Sequence, residues 1–247
     1  MLIIWILFFS VLGSVGAIIT ASILLIFPKR IQEILIPCLI SYATGVLLTA
    51  ALLGLIPHAL RLSSISPIFT TVLAGIVLFF ILEKLMIWRH CHDRRCKAHM
   101  TAAPMILLGD AFHNLTDGLV IAASFLSSIP IGIVAGLSII AHEIPQEVGD
   151  FGILLHGGYS KRKALLLNTL SGLSTIPGAI IAYYALEIIN QAIPYVMAIS
   201  ASSFLYIGLA DLTPELHRSV RFRHAISQFI LLLAGIGTIL IFLQFHT

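Results

Sequence analysis

Apolar runs about as long as a bilayer is thick dominate this chain, and such runs leave few architectures open. A helix crosses the ~30 Å hydrocarbon core of a membrane with roughly 17–25 residues. By that measure the sequence offers eight candidates, at about 2–27, 34–59, 67–88, 102–126, 131–155, 163–188, 193–214 and 224–245. Of its 247 residues 59% are hydrophobic and only 10% charged, more apolar surface than a soluble domain needs. The runs do not alternate apolar and polar residues, which excludes a β-barrel. Breakers separate them, among them Pro28-Lys29-Arg30, Ser127-Ser128-Ile129-Pro130 and Gly157-Gly158-Tyr159-Ser160. The expected fold is therefore all-α, one polytopic transmembrane domain over 1–247. The first run lacks a basic lead and outlasts the core of a signal peptide, so it reads as a retained helix.

Orientation follows from the basic residues. Of the 14 Lys and Arg, all but Arg61 fall on alternate separators or at the helix ends beside them: Lys29 and Arg30; Lys84, Arg89, Arg94, Arg95 and Lys97; Lys161, Arg162 and Lys163; Arg218, Arg221 and Arg223. The positive-inside rule makes that face cytoplasmic, and an even number of helices then puts both termini outside. The net charge of +3 thus records topology and not a nucleic-acid surface. Cys91 and Cys96 lie on the cytoplasmic side, where thiols stay reduced, and Cys38 leaves the count odd.

Two of the runs contain groups that a bilayer should reject. Gly109-Asp110-Ala111-Phe112-His113-Asn114-Leu115-Thr116-Asp117-Gly118 lies in the fourth, and His142-Glu143-Ile144-Pro145-Gln146-Glu147-Val148-Gly149-Asp150 in the fifth. A charge near the membrane centre costs at least ~2.5–3.5 kcal/mol on insertion scales, so such groups need a partner, a cavity or an ion. At ~1.5 Å per residue, His113 lies ~18 Å from the cytoplasmic end of its helix and His142 ~18 Å from the outer end of the next. Both fall near mid-membrane.

Spacing assigns the faces. His113 and Asp117 are i,i+4 neighbours with Asp110 one turn away; His142 pairs with Gln146, and Glu143 with Glu147, with Asp150 continuing that ridge. Pro145 removes an amide donor, which frees a carbonyl near Ala141. A dry hydrogen-bonded staple could absorb one His and one carboxylate. It could not neutralise five carboxylates in two spans that hold no Lys or Arg, whereas a divalent cation supplies the missing charge.

The Gly-Asp-x-x-His-Asn-x-x-Asp-Gly and His-Glu-Ile-Pro-x-Glu-x-Gly-Asp-Phe patterns resemble the signature helices of the ZIP (Zrt/Irt-like protein) family, in the branch with His-Glu on the fifth helix. The resemblance implies eight transmembrane helices in a 3+2+3 arrangement, with helices 1–3 and 6–8 in an inverted relation. It also implies zinc uptake towards the cytoplasm through a site between helices 4 and 5 able to hold two metals. By matching position it gives His113, Asn114, Asp117, His142, Glu143 and Gln146 the site roles, and Glu147 that of an extra carboxylate. The chain departs from the pattern at Gln146, at Gly54 in Gly-Leu-Ile-Pro-His58, and at Thr175 on helix 6. All three remove ligands from a second ion, so one tightly held metal and a weaker neighbour are expected.

The functional expectation is a transporter of zinc, with Fe²⁺, Mn²⁺ and Cd²⁺ as alternative ions, since a His and carboxylate set suits zinc yet tolerates the others. Zinc is its bound and transported ion, with no separate cofactor. Asp110 and Asp150 would carry the ion on, and His58 would line the entrance or serve as a hydrogen-bonded histidine at the membrane interface. His90, His92 and His99 in the loop after helix 3 would accept the ion in the cytosol, or simply form a solvated connector. The partners expected are a divalent ion, the lipid bilayer and, left open, a second copy of the chain. The expected location is a plasma or inner cell membrane. Two rivals stand against this reading. An intramembrane zinc-dependent hydrolase would use His-Glu-x-x-His, but here the second His is Gln146. A sensor with a structural metal would bind without flux.

Overall fold

The computed structural model describes residues 1–88, 98–156, 158–217 and 222–246, though not the side chains of 86–88, 98–106, 156, 187, 215, 222–224 and 245–246. All described elements are helical. The long ones are α1 (Leu2–Leu24), α2 (Lys29–Leu62), α3 (Ile65–Trp88), α4 (Ala98–Ser127), α5 (Ile129–His156), α6 (Lys161–Leu186), α7 (Asn190–Leu212) and α8 (Phe222–His246). A further turn of helix, Thr213–His217, extends α7. Pro28, in an extended conformation, starts α2 at Lys29, so the helix includes the polar residues Lys29–Glu33 that an apolar count leaves out. Gly158, at φ 84°, turns the chain ahead of α6, whose first turn is capped by Ser160 Oγ accepting from the Lys163 amide at 3.3 Å.

Among the described residues seven helices are long and apolar enough to span a membrane. The exception among α1–α8 is α4, 30 residues long, whose apolar run is broken by Asp110, His113, Asn114 and Asp117. The protein is an all-α, multi-pass membrane protein.

Prolines shape the helices that surround the centre. In α2 a wider π turn covers Ala50–Leu55 and is followed by Pro57; in α7 one covers Ile207–Leu212 and is followed by Pro214. A proline lacks the amide that should bond the carbonyl four residues back, and a π turn lets neighbouring carbonyls find amides one residue further on. Helix α6 is instead kinked. Pro177 removes the amide that Leu173 would use, and the chain crosses Leu173–Ser174 on tighter bonds, Ser174 N to Ser171 O at 3.0 Å and Ile176 N to Leu173 O at 3.2 Å.

The closest interfaces use small residues. A Cβ at Gly118 would collide with the Thr175 carbonyl, and one at Gly178 with the Leu115 carbonyl, so α4 and α6 meet backbone to backbone. Gly45 and Gly235 do the same for α2 and α8. The hydroxyls of Ser171 and Ser174 donate across to the α4 carbonyls of Leu107 (2.9 Å) and Ala111 (2.6 Å). Further large interfaces are α4 with α5, α3 with α7, α2 with α5, α1 with α5 and α4 with α7. Helices α4 and α5 form the centre, and α3 and α8 the rim. Ile65, Phe69, Leu73, Val77 and Phe80 on α3, and Phe229, Ile230 and Leu233 on α8, point outward as a lipid-facing surface would.

Candidate metal centre

Helices α4 and α5 run side by side and bring their polar residues to one place. His113 Nε2 lies 3.2 Å from His142 Nε2, 3.4 Å from Glu143 Oε1 and 3.9 Å from Asp117 Oδ2. His142 Nε2 lies 3.2 Å from Asp117 Oδ2 and 3.6 Å from Glu143 Oε1. Zinc bound tetrahedrally at ~2.0–2.2 Å keeps its ligand atoms about 3.3–3.5 Å apart. Five of the six separations among these four atoms, 3.2–3.9 Å, are therefore close to the edges of a zinc-sized tetrahedron, and all lie within 4.8 Å. Three of these side chains are fully enclosed, and only His113, at 17% exposure, opens towards the exterior of the cluster.

The hydrogen bonds around His142 decide its tautomer. Its Nδ1 lies 2.9 Å from the Ser138 carbonyl, which can only accept, so Nδ1 carries the proton. In the neutral ring Nε2 is then bare and turns a lone pair towards the Asp117 carboxylate. Lone pair facing lone pair is repulsive, and a cation between them removes the repulsion. This is the arrangement in which a ligating His donates its other N–H to a carbonyl. A Phe204 ring from α7 meets the His142 ring edge to face at 5.9 Å and limits its rotation.

Burial sharpens the argument. Both oxygens of Asp117, Glu143 and Glu147, and Oδ2 of Asp110, are buried without a hydrogen-bond partner. Buried polar atoms are otherwise almost always paired, and an uncompensated buried charge is costly. Protonating one imidazole could satisfy one carboxylate; it would leave the others. Two groups of atoms could each hold an ion: His113, Asp117, His142 and Glu143, and beside them Asp110, Glu143 and Glu147. Glu143 belongs to both.

The other residues singled out by sequence occupy different positions. Asn114 is buried and donates from Nδ2 to Asp110 Oδ1 (3.0 Å) and to the Asp110 carbonyl (3.1 Å), while its Oδ1 accepts from Thr175 Oγ1 at 3.0 Å. Gln146 Nε2 donates to Asp110 Oδ1 at 3.1 Å. Asp110, expected along the route of the ion, sits within the second group of ligand atoms. Asp150 lies further along α5, partly exposed and in neither group; His58 lies on α2, also outside both. His90 and His92, with Cys91 and Cys96, fall outside the described residues, as does the side chain of His99 on α4. Ser138 went unnoticed in the sequence because it contributes a main-chain oxygen, although its place one turn before His142 is where such an acceptor would stand.

Comparison with known proteins agrees with this chemistry. The family model described as ZIP zinc transporter matches residues 88–243, well over half of the chain. Zinc transporter ZIP13 of Pongo abelii is 32% identical over 222 residues, covering 84% of this chain and 66% of the relative. Zinc transporter ZIP4 of Homo sapiens is 40% identical over 124 residues, 50% of this chain, and zinc transporter zipt-7.2 of Caenorhabditis elegans 35% over 134 residues. The match spans about a fifth of the length of the human relative (19%) and 29% of the nematode one. With its paired polar helices covered by the family match, the chain belongs to the ZIP zinc transporter family.

Proposed function

We propose that this protein carries zinc, and more weakly other divalent cations, across a cell membrane into the cytoplasm through the centre between α4 and α5. The observation that carries the proposal is the buried cluster His113, Asp117, His142 and Glu143, spaced for a tetrahedral ion and otherwise left with unpaired carboxylate oxygens. The names of its relatives, all zinc transporters, support the same cargo.

Eight spanning helices in a 3+2+3 arrangement complete the proposal. The principal interfaces support it, because exchanging α1 with α6, α2 with α7, α3 with α8 and α4 with α5 carries each of the larger interfaces onto another or onto itself, while the smaller α2–α3 and α5–α8 contacts are unmatched. The π turns of α2 and α7 trade places under the same exchange, whereas the π turn of α1 at Leu12–Gly16 meets a kink in α6. Such inverted halves permit alternating access around a fixed mid-membrane site. The basic separators orient the cytoplasmic face, with both termini outside. In this scheme the ion exchanges its water for His113 first, since that ligand alone of the four is partly exposed. It is then held by Asp117, His142 and Glu143, and it leaves past Asp110 and Asp150. Protons compete for these same ligands, so low pH on the receiving side favours release.

A zinc hydrolase finds no support, since Gln146 stands where its second His would be and the relatives are named as transporters. The test is zinc uptake into proteoliposomes containing the purified protein. The parent should accumulate zinc, and His142→Ala and Asp117→Ala should not. Equal uptake by all three would remove the proposal, and binding without uptake in the parent would favour a sensor.

A further inference from the structure

Helices α1 and α6 meet along a seam that runs to the basic end of the molecule. Leu2–Val11 packs on Thr175–Ile188 and Ala17–Leu24 on Lys161–Gly172, so the two helices are antiparallel. Gly172 leaves room for Ile18: a Cβ there would stand 2.8 Å from Ile18 Cδ1. Counted from this contact at ~3.6 residues per turn, Ile19 and Ile23 of α1 fall on the same side of the seam as Leu166 and Thr169 of α6. Ala164 and Asn168 turn to the opposite side. There Ala164 packs with Phe151 and Leu154 of α5, and Asn168 Nδ2 donates to the Glu147 carbonyl at 3.4 Å. Ile19, Ile23 and Leu166 are exposed. They wall an apolar groove that opens away from the bundle.

Cations crowd the end of that groove. By the same count Arg162 stands on the groove side of α6 and Lys161 over the seam. Lys163 Nζ lies 4.9 Å from the centroid of the Tyr159 ring. Gln32 Nε2 donates to the carbonyls of Leu25 (3.2 Å) and Phe27 (2.8 Å), which holds the start of α2, with Lys29 and Arg30, against the end of α1. All five cations are exposed, and the one acid in segments 24–33 and 156–170 is Glu33. We infer that the groove between α1 and α6 binds an acidic phospholipid, its phosphate among Lys29, Arg30, Lys161 and Arg162 and an acyl chain along Ile19, Ile23 and Leu166. Charge complementarity selects this occupant. A zwitterionic lipid brings another cation into a cluster already rich in them, whereas basic residues at a membrane surface draw acidic headgroups. The inference needs a membrane-embedded chain and is independent of the ion that the centre carries.

The experiment titrates purified full-length protein in detergent with phosphatidylglycerol or phosphatidylcholine and counts retained lipid by native mass spectrometry. The parent should retain phosphatidylglycerol well above phosphatidylcholine. Lys161→Gln and Arg162→Gln should each weaken it about 5-fold, and the double variant about 30-fold, from the usual worth of a basic residue at a membrane surface. Leu166→Trp, at an exposed position, fills the groove and leaves every cation in place; it should weaken retention at least ~10-fold, the mark of a seated acyl chain against a diffuse charged surface. Arg61→Gln, at the opposite end of the molecule, should change nothing. Inorganic phosphate in millimolar excess should not displace the lipid, because it has no chain for the groove. Equal retention of the two lipids, full retention by the double variant or by Leu166→Trp, an equal loss in Arg61→Gln, or displacement by inorganic phosphate would each overturn the inference. The substituted side chains all lie at exposed positions, and matching thermal unfolding of the variants and parent confirms that the readout is binding and not folding.

Discussion

Helices α3 and α8 at the rim and α4 and α5 at the centre solve opposite problems in the same membrane. The most apolar windows of α3 and α8 are only 17% and 11% buried, and their outward side chains are apolar, so lipid itself solvates them. Helices α4 and α5 carry Asp110, Asp117, Glu143 and Glu147 at depth, and protein must solvate those. Hydropathy recognises the rim at once. It passes over α4, the helix with most of the fourth-run ligands, because the residues that give the helix its chemistry lower its apolar score. In such a protein the weakest membrane signal marks the most consequential helix.

The sharpest break of this comparison is the loss of a central ligand. His142→Ala or Asp117→Ala should lower zinc affinity by more than ~100-fold, beyond the 10–100-fold typical of outer-shell changes. Equilibrium dialysis with radiozinc measures it. Next in size is backbone approach. Gly118→Val or Gly178→Val should cost several kcal/mol by driving a side chain into the opposing carbonyl, above the ~1–3 kcal/mol of ordinary overpacking. By contrast Gly237→Ala, on α8 with open space around it, should be neutral or stabilise by up to ~1 kcal/mol through helix propensity. Thermal unfolding in detergent reads both, and equal shifts would dissolve the distinction between rim and centre.

Metal removal comes third. Zinc at 100 times its dissociation constant should stabilise the folded chain by about 2.7 kcal/mol, and a chelator should abolish that increment in the parent but not in Asp117→Ala. A stabilisation by zinc that survives in the variant would place the ion elsewhere. Smaller still, Thr175→Val removes the hydroxyl that donates to the Asn114 oxygen and should cost about 1 kcal/mol. Phe229→Leu on the outward face of α8 should stay within ~0.5 kcal/mol.

How far the sequence reached depended on the kind of interaction. Helical class and membrane placement rest on composition and run length, which are local, and they were plain. The meeting of His113 and His142 followed from counting residues inward from opposite membrane faces. Details set by long-range contact were hidden. No local pattern states that Asn114 and Gln146 spend their amides on Asp110, because that depends on where Thr175 of a kinked α6 comes to rest. The π turns of α2 and α7 were hidden for another reason. Pro57 and Pro214 announce a defect in hydrogen bonding, but a kink, as at Pro177, and a π turn are both remedies for it, and tertiary packing decides between them.

Zinc K-edge X-ray absorption on protein loaded with one equivalent of zinc tests the centre most directly. Four light-atom ligands at ~2.0–2.1 Å, with imidazole scattering from two histidines that falls to one in His113→Ala, is the expected spectrum. A six-coordinate hydrated ion, a sulfur shell at ~2.3 Å, or a spectrum unchanged by that substitution would contradict the account.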